Sequence, residues 1–212
     1  MSSAARKSNR GGALADQRVR AVATRAGLIA TARRFFADAG YHATGTNELV
    51  AATAMTRGAL YHHFTDKQAL FEAVFRELSS ELNKAAGEAV RSLSGDTWNQ
   101  LVRAFRAYLQ LVAASAEFQR ILLIDGPAVL GWKRWRELQS EEMGAGVITT
   151  LTMLMEQGVI PEAAPGPLAT LIQAALNDAA LSIAYAPDQR AASTELTEAL
   201  MRILEGLRTR ES

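Results

Sequence analysis

Residues 57–64 (RGALYHHF), followed by Lys67, hold a concentration of side chains that donate hydrogen bonds. The guanidinium of an arginine such as Arg57 pairs with the O6 and N7 atoms of guanine. Tyrosine, histidine and lysine donate to phosphate oxygens. Gly58 and Ala59 lie among these donors, and such small side chains let a helix approach base edges closely. This segment therefore predicts a surface that contacts nucleic acid.

Other chemistry finds little support in the residue types. His62 and His63 are adjacent, so on a helix they would point about 100° apart, and the chain's third histidine is His42. A metal site is therefore not expected. The chain has no cysteine, which excludes disulfides and thiolate ligands. Paired carboxylates with a nearby base, a Ser/His/Asp set and a phosphate-binding glycine loop are all missing. We expect neither an enzyme nor a cofactor.

The elements that must position the donors are short helices. Apolar residues at three- and four-residue steps predict a first helix that ends at Gly40. A second helix is predicted over about 46–52 and a third over 56–63, and Asp66 begins a long fourth. Two short helices joined by about three residues are typical of a helix-turn-helix, whose second helix enters the major groove of DNA.

The interior of this motif can be read from its apolar residues. Leu49 and Val50 are expected to face inward on the second helix. Met55 and Leu60 are expected to hold the third helix against the second and against the face of the first helix that carries Phe35 and Phe36.

Charge is distributed unevenly along the chain. The overall net charge is +1, but residues 1–76 contain eleven lysines and arginines against five acidic residues, a net +6. The rest of the chain has a net charge of −5. A basic domain joined to an acidic one indicates that only the first meets a polyanion, although a split of this size also arises by chance.

Two stretches of the sequence, 28–41 (LIATARRFFADAGY) and 57–74 (RGALYHHFTDKQALFEAV), resemble the TetR (tetracycline-repressor-like) family of bacterial transcription regulators. The Gly-x-Leu-Tyr-His-His-Phe-x-x-Lys signature is the most specific part. The resemblance implies an all-α homodimer that binds a double-stranded DNA operator. Each subunit would have a three-helix DNA-binding domain with a helix-turn-helix and a C-terminal helical domain for effector binding and dimerisation.

The resemblance also implies roles for individual residues. Arg57 and His62 would contact bases, whereas Tyr61, His63 and Lys67 would contact phosphates. The full expected DNA-binding set is Thr46, Asn47, Thr56, Arg57, Gly58, Ala59, Tyr61, His62, His63 and Lys67. Basic residues near the N-terminus would reach the minor groove or flanking phosphates: Arg6, Lys7 and Arg10.

The sequence departs from the family pattern at three positions. Gly45 stands where the family usually has Ser or Thr as the N-cap of the second helix, Ala54 replaces the usual turn glycine, and Ala59 replaces a common threonine. The last change puts the usual hydroxyl-to-phosphate contact at that position in doubt.

The predicted domain organisation has three parts. Residues 1–21 form a flexible basic arm and the start of the first helix, with 1–15 lacking helical periodicity. Residues 22–82 form the DNA-binding domain, with the helix-turn-helix at 45–64. Residues 83–212 form the C-terminal domain, and the resemblance implies that its last two helices, at about 167–185 and 188–207, pair with those of a partner subunit. A central core helix in a monomer is the alternative for the first of the two.

Aromatic and methionine side chains in the C-terminal half suggest a cavity for an apolar or aromatic effector. For any single one of them, ordinary core packing is the better explanation. The candidate lining residues are Phe105, Tyr108, Phe118, Trp132, Trp135, Met143, Met153 and Asn177. The helical pattern also predicts that Val129, Trp132, Trp135 and Leu138 face inward together.

We therefore expect a ligand-responsive transcription regulator, a repressor on a palindromic operator that an unidentified small molecule releases by shifting the fourth helix. The alternative is a DNA-binding adaptor whose C-terminal domain binds another protein. Neither a membrane span nor a signal peptide is expected, which suggests a cytoplasmic protein associated with the nucleoid.

Overall fold

Helices account for the regular structure of the part of the chain that the computed structural model describes, residues 4–53, 55–91 and 95–209, and no strand occurs in it. Side chains are described from residue 21 onward, apart from those of 54, 90–94, 142–143 and 210–212. The fold is all-α, as the sequence predicts. The α-helices are α1 (Ala4–Ala39), α2 (Thr46–Ala52), α3 (Arg57–His63), α4 (Lys67–Arg91), α5 (Thr97–Ala114), α6 (Ala116–Phe118), α7 (Gly126–Leu130), α8 (Trp132–Gln139), α9 (Ala145–Glu156), α10 (Pro165–Tyr185) and α11 (Gln189–Glu205).

The chain divides into two compact units, Met1–Val74 and Phe75–Ser212. The division falls eight residues before the domain boundary that the sequence predicts at 82/83. Helix α4 contributes its first residues to the first unit and the remainder to the second. The shift in the boundary follows from the apolar stripe of α4, which begins to serve the second unit's core at Phe75.

Helix α1 is longer than the sequence predicts, since it begins at Ala4 and includes most of the stretch 1–15 that was expected to be an irregular arm. This stretch contains no proline, and alanine and arginine are good helix formers. Gly11 and Gly12 each cost about 1 kcal/mol in a helix, which does not by itself end one. The roles suggested for Arg6, Lys7 and Arg10 concern side chains outside the described set and stay predictions.

The first unit is built on buried aromatic rings. The ring of Phe36 lies 5.3 Å from that of Phe71 on α4, and Tyr41 lies 5.7 Å from Phe36 and 5.2 Å from Phe71. Gly40, at φ 84°, ends α1 and turns the chain toward α2. A left-handed conformation of this kind favours glycine, so the sequence signal for the end of α1 is confirmed.

In the second unit, α10 is the central helix and packs against α5, α9 and α11. By length and composition it is the one helix in the described residues that is apolar enough to cross a membrane. Part of that composition belongs to the core of the unit, in which six of its side chains are buried. They are Ala169, Ile172, Leu176, Ala179, Ala180 and Ile183.

Two π-helical segments, Gln119–Asp125 and Ser140–Gly144, interrupt the middle of the second unit. After the first of these segments the backbone continues directly as α7. Pro127 has no amide hydrogen and its ring crowds the carbonyl of the preceding turn. Pro127 lies in the first turn of α7, where a helix tolerates proline.

Gly126 gives a test of how tightly this region is packed. A Cβ added there would lie 3.0 Å from the rings of Phe75 and Trp135 and 3.1 Å from the Ile121 carbonyl oxygen. We predict that Gly126→Ala lowers the free energy of unfolding by about 1–3 kcal/mol, as overpacking does. Chemical denaturation of the purified protein measures it.

Gly146 on α9 is the matched control, because a Cβ there meets nothing within 4 Å. Gly146→Ala should stabilise the protein by about 0.5–1 kcal/mol through helix propensity alone. Equal effects of the two substitutions would show that the contacts around Gly126 are not tight.

Candidate nucleic-acid interface

Helix α2 begins at an unusual N-cap. Gly45 has no hydroxyl to cap the helix, but its own amide donates to Glu48 Oε2 at 3.1 Å. At the other end, the Thr53 hydroxyl donates to the Leu49 carbonyl at 3.0 Å and has the Val50 carbonyl within 3.1 Å. Leu49 is fully buried. The absence of the usual Ser or Thr at position 45 therefore removes one of the two bonds of a capping box and keeps the other.

Helix α3 is fixed at both ends. Thr56 Oγ1 accepts a hydrogen bond from the Ala59 amide at 3.2 Å, so Thr56 is the N-cap rather than the first helical residue. Leu60 is fully buried and Phe64, whose amide donates to the Leu60 carbonyl at 2.9 Å, is nearly so. The guanidinium of Arg25 on α1 lies 4.9 Å from the centre of the Phe64 ring. The predicted anchoring of α3 by Leu60 is confirmed.

The outward face of α3 carries the predicted donors. Arg57 and His62 are exposed and Tyr61 is 40% exposed, whereas His63 is half-buried. The Arg57 guanidinium lies 5.7 Å from the centre of the Tyr61 ring, one turn along the helix, which holds both groups on one side of α3.

The other members of the predicted set lie around this face. Gly58 is exposed and Ala59 is half-buried on α3 itself. On α2, Asn47 is exposed and Thr46 is half-buried. The structure thus brings the predicted residues of both short helices to accessible positions within the first unit.

Lys67 makes contacts within the first unit that the sequence does not predict. Its ammonium group donates to the carbonyl oxygens of Tyr41 at 2.8 Å and Thr44 at 2.9 Å, and it lies 4.0 Å from the centre of the Tyr41 ring. Partial burial lowers the pKa of Lys67 below its ordinary value. These contacts tie the start of α4 to the loop between α1 and α2, and the phosphate contact of Lys67 stays a prediction.

The sequence reasoning missed the two residues that receive this lysine. Thr44 is buried, and its hydroxyl donates to the Gly40 carbonyl at 2.8 Å, with the Phe35 carbonyl at 3.2 Å. Tyr41 places its ring among the aromatic rings of the first unit's core. No local signal indicates them, because the Tyr41 and Thr44 carbonyls lie beyond the last turn of α1, which ends at Ala39.

The second unit contains a cavity of about 420 Å³ between α4, α5 and α9. Three of the side chains predicted to contact an effector line it: Phe105, Tyr108 and Met153. Phe118 and Trp135 are buried in the core instead, where the Trp135 indole donates to the Leu122 carbonyl at 2.8 Å. The side chain of Met143 lies outside the described set.

Trp132 is a clear error of the sequence analysis. It was expected to face inward with Trp135, but it is 63% exposed. Trp132 is the first residue of α8, directly after Gly131 at φ 77°, so no preceding helical turn covers it. Its ring lies at 5.0 Å from that of Trp135 and covers the outer side of that buried residue.

Asn177 lies beside a second cavity of about 240 Å³, lined by polar groups that include Gln139 and Gln173. Its Oδ1 atom is 3.5 Å from both the Tyr108 hydroxyl and the Gln139 side-chain amide. The Gln173 amide donates to the Gln139 carbonyl at 2.7 Å. Asn177 thus belongs to a network of amides and not to the lining of the larger cavity, and burial raises the pKa of the Tyr108 phenol at its end.

The described residues contain no group of three histidine, cysteine or acidic side chains that could hold a metal ion.

Both units match known protein families. Residues 28–74 match the model for bacterial regulatory proteins of the tetR family, and residues 98–207 match the model for the tetracyclin repressor-like C-terminal domain. The crystal structure of a TetR-family transcriptional regulator from Pectobacterium atrosepticum is 36% identical in sequence. The similarity covers 92% of this chain and 99% of that one, with a TM-score of 0.77.

Curated relatives match over the N-terminal region. The transcriptional repressor AcnR of Corynebacterium efficiens is 39% identical over 67 residues, which is 32% of this chain and 36% of AcnR. The repressor Rv1474c of Mycobacterium tuberculosis is 47% identical over 55 residues, 26% of this chain and 29% of that protein. The chain thus spans about a third of the length of these curated relatives.

The two hydrogen bonds of Lys67 predict a specific stability effect. Lys67→Met keeps the length of the side chain but leaves the carbonyls of Tyr41 and Thr44 without their charged donor. We predict a loss of about 1–3 kcal/mol in the free energy of unfolding, measured by thermal and denaturant unfolding.

Lys84→Met is the control. The Lys84 side chain is 73% exposed, and its Nζ lies as far as 3.9 Å from Glu88 Oε1. Its removal should therefore change the free energy of unfolding by less than about 0.5 kcal/mol. If the two variants were equally stable, the contacts of Lys67 would contribute nothing.

Proposed function

The chain belongs to the TetR family of bacterial transcription regulators, and we propose that it is a ligand-responsive repressor that binds a palindromic DNA operator as a homodimer. Members of this family are DNA-binding proteins and not enzymes. The observation that carries the proposal is the face of α3, where Arg57, Tyr61 and His62 are exposed opposite the buried Leu60.

Arg57 is the proposed base reader. Its guanidinium has the donor geometry that pairs with guanine O6 and N7 in the major groove, and Gly58 next to it adds no bulk. His62 would contact a second base edge. Tyr61, His63 and the α2 residues Thr46 and Asn47 would contact phosphates or base edges near the same half-site. We assign a different role to Lys67, which would hold the loop between α1 and α2 against the start of α4.

The dimer is proposed to form through α10 and α11. Three large apolar side chains on these helices are 66–69% exposed in the single chain: Leu171, Tyr185 and Ile203. Exposed apolar residues concentrated on two adjacent helices are typical of an interaction surface. A twofold dimer would present two copies of α3 to successive major grooves about 34–36 Å apart, which is why a palindromic operator is expected.

The effector is proposed to bind in the cavity between α4, α5 and α9. Helix α4 begins at Lys67 and reaches the cavity wall with Asn83, Ala86 and Gly87. A ligand that changes the position of α4 would also act on the loop that Lys67 holds. A coupling of about 1–3 kcal/mol between the two sites is typical of allostery and would release the operator.

An adaptor that binds another protein is less well supported, because a cavity of this size is typical of small-molecule sites. As a DNA-binding regulator, the protein would act in the cytoplasm, associated with the nucleoid.

Removal of Arg57 tests the base contact. Against a specific operator selected from random duplexes, Arg57→Ala should lose about 1–3 kcal/mol of binding free energy for each half-site and lose discrimination at one guanine. Fluorescence anisotropy at several salt concentrations measures both. Arg106→Ala is the control, since Arg106 is exposed on α5 in the other unit, and wild-type affinity of Arg57→Ala would refute the assignment.

The same titration separates two roles for Lys67. A lysine that neutralises a phosphate changes the slope of log K against log salt by about one for each contact. We predict that Lys67→Met weakens binding while its slope stays that of the wild type. A smaller slope would restore Lys67 as a phosphate contact.

One charged side chain introduced on α10 tests the proposed dimer surface. Leu171→Glu should turn the dimer into a monomer, because burying a carboxylate without a partner is unfavourable; light scattering after gel filtration measures the mass. Val22→Glu alters an equally exposed residue on α1 and should remain dimeric. A dimeric Leu171→Glu variant would place the interface elsewhere.

A further inference from the structure

We propose that the effector is an uncharged molecule and that the carboxamide of Asn83 is the polar group that selects it. This inference rests on the proposed function, in which the cavity between α4, α5 and α9 is the effector site. It adds the chemical class of the ligand and the residue that determines specificity.

The cavity exists because small residues meet where three helices approach each other. Ala86 and Gly87 on α4, Ala104 on α5 and Gly146 on α9 all line it. A Cβ built on Gly87 or Gly146 would meet no atom within 4 Å. Protein interiors are otherwise closely packed, so a space of about 420 Å³ between these residues is suited to a small ligand of about one or two rings.

The lining offers no counter-ion. Among the described residues that line the cavity, none is charged, and the apolar surface comes from residues such as Leu101, Phe105 and Val147. Burial also raises the pKa of Tyr108, so its phenol stays neutral at physiological pH. The cavity is partly open, since Gln100, Gly146 and Met153 are exposed. An ionised ligand would lose part of its hydration here without gaining a partner of opposite charge, which is unfavourable.

Most polar groups in the lining are already occupied. The Thr150 hydroxyl donates to the Gly146 carbonyl at 2.9 Å, and the Gln100 side-chain amide donates to the Gly95 carbonyl at 3.2 Å. The Tyr108 hydroxyl is directed to Asn177 Oδ1 at 3.5 Å.

Asn83 and Thr97 are different, since both are half-buried in the lining and neither side chain has a hydrogen-bond partner among the residues that the structure describes. Of the two, Asn83 has separate donor and acceptor groups and lies on α4, the helix proposed to transmit ligand binding. An amide offers both a donor and an acceptor. The ligand that fits is therefore a neutral, largely apolar molecule with one hydroxyl, carbonyl or amide group that pairs with Asn83.

Three molecules of nearly the same shape test which ligand charge the cavity accepts. Benzamide is neutral, benzoate is an anion and benzamidinium is a cation. Dissociation constants from NMR titration of the full-length protein should show benzamide binding at least tenfold more tightly than either ion. Equal or tighter binding of an ion overturns the inference, as does the failure of benzamide to bind at 10 mM.

Two glycine variants locate the binding. Gly146→Leu fills the cavity and should abolish benzamide binding, whereas Gly27→Leu, on α1 with equally open surroundings, should leave it unchanged. If an ion binds and Gly146→Leu abolishes it, the cavity is an effector site as proposed but the neutral class is wrong. If none of the three molecules binds, both proposals fail at this cavity.

Asn83→Leu tests the selecting residue, because leucine has the same branched arrangement of side-chain heavy atoms and no hydrogen-bonding group. The variant should bind benzamide at least fivefold more weakly while its affinity for toluene, which has no polar group, stays the same or rises. An equal loss of affinity for both molecules would indicate a change in the shape of the cavity and would overturn the role of Asn83.

Discussion

The constraint on which the DNA-binding unit depends is the length of its two working helices. Helices α2 and α3 have seven residues each, and isolated helices shorter than about 12–15 residues are marginal in water. Each therefore depends on the packing of one fully buried leucine and on hydrogen bonds at its ends made by Glu48, Thr53 or Thr56. Lys67 completes this support by joining α4 to the carbonyls of the loop before α2. The exposed donors of α3 keep a fixed geometry because the opposite side of the helix is packed in the core through Leu60.

Much of this arrangement could be predicted from the sequence, because its causes are local. The bounds of α2 follow from apolar spacing, the end of α1 from Gly40, and the starts of α4, α5 and α11 from Asp66, Asp96 and Asp188, whose carboxylates accept amide hydrogen bonds. What could not be predicted depends on contacts between distant residues. Lys67 has the same charge whether it faces a phosphate or two carbonyls, and its direction is decided by Tyr41 and Thr44, more than twenty residues away.

In the second unit, contacts between distant residues limit prediction from the sequence even more strongly. Periodicity placed Trp132 and Trp135 on one face of a helix, but only Trp135 is buried, because α8 begins at Trp132. The aromatic residues were natural candidates for an effector site, yet small residues such as Ala104 and Gly146 decide where the cavity lies. A cavity forms where small residues from different helices face each other. A sequence pattern gives little indication of which small residues will meet in this way.

The central claim is that α3 reads DNA through Arg57, and a double-mutant cycle across the interface tests it most directly. Each guanine of a selected operator is replaced in turn by 7-deazaguanine, which lacks the N7 acceptor, and the affinities of the wild-type protein and of Arg57→Ala are measured. The account predicts one guanine in each half-site whose replacement weakens the wild-type protein by at least fivefold and leaves Arg57→Ala unaffected. Equal losses for the two proteins at every guanine would contradict it.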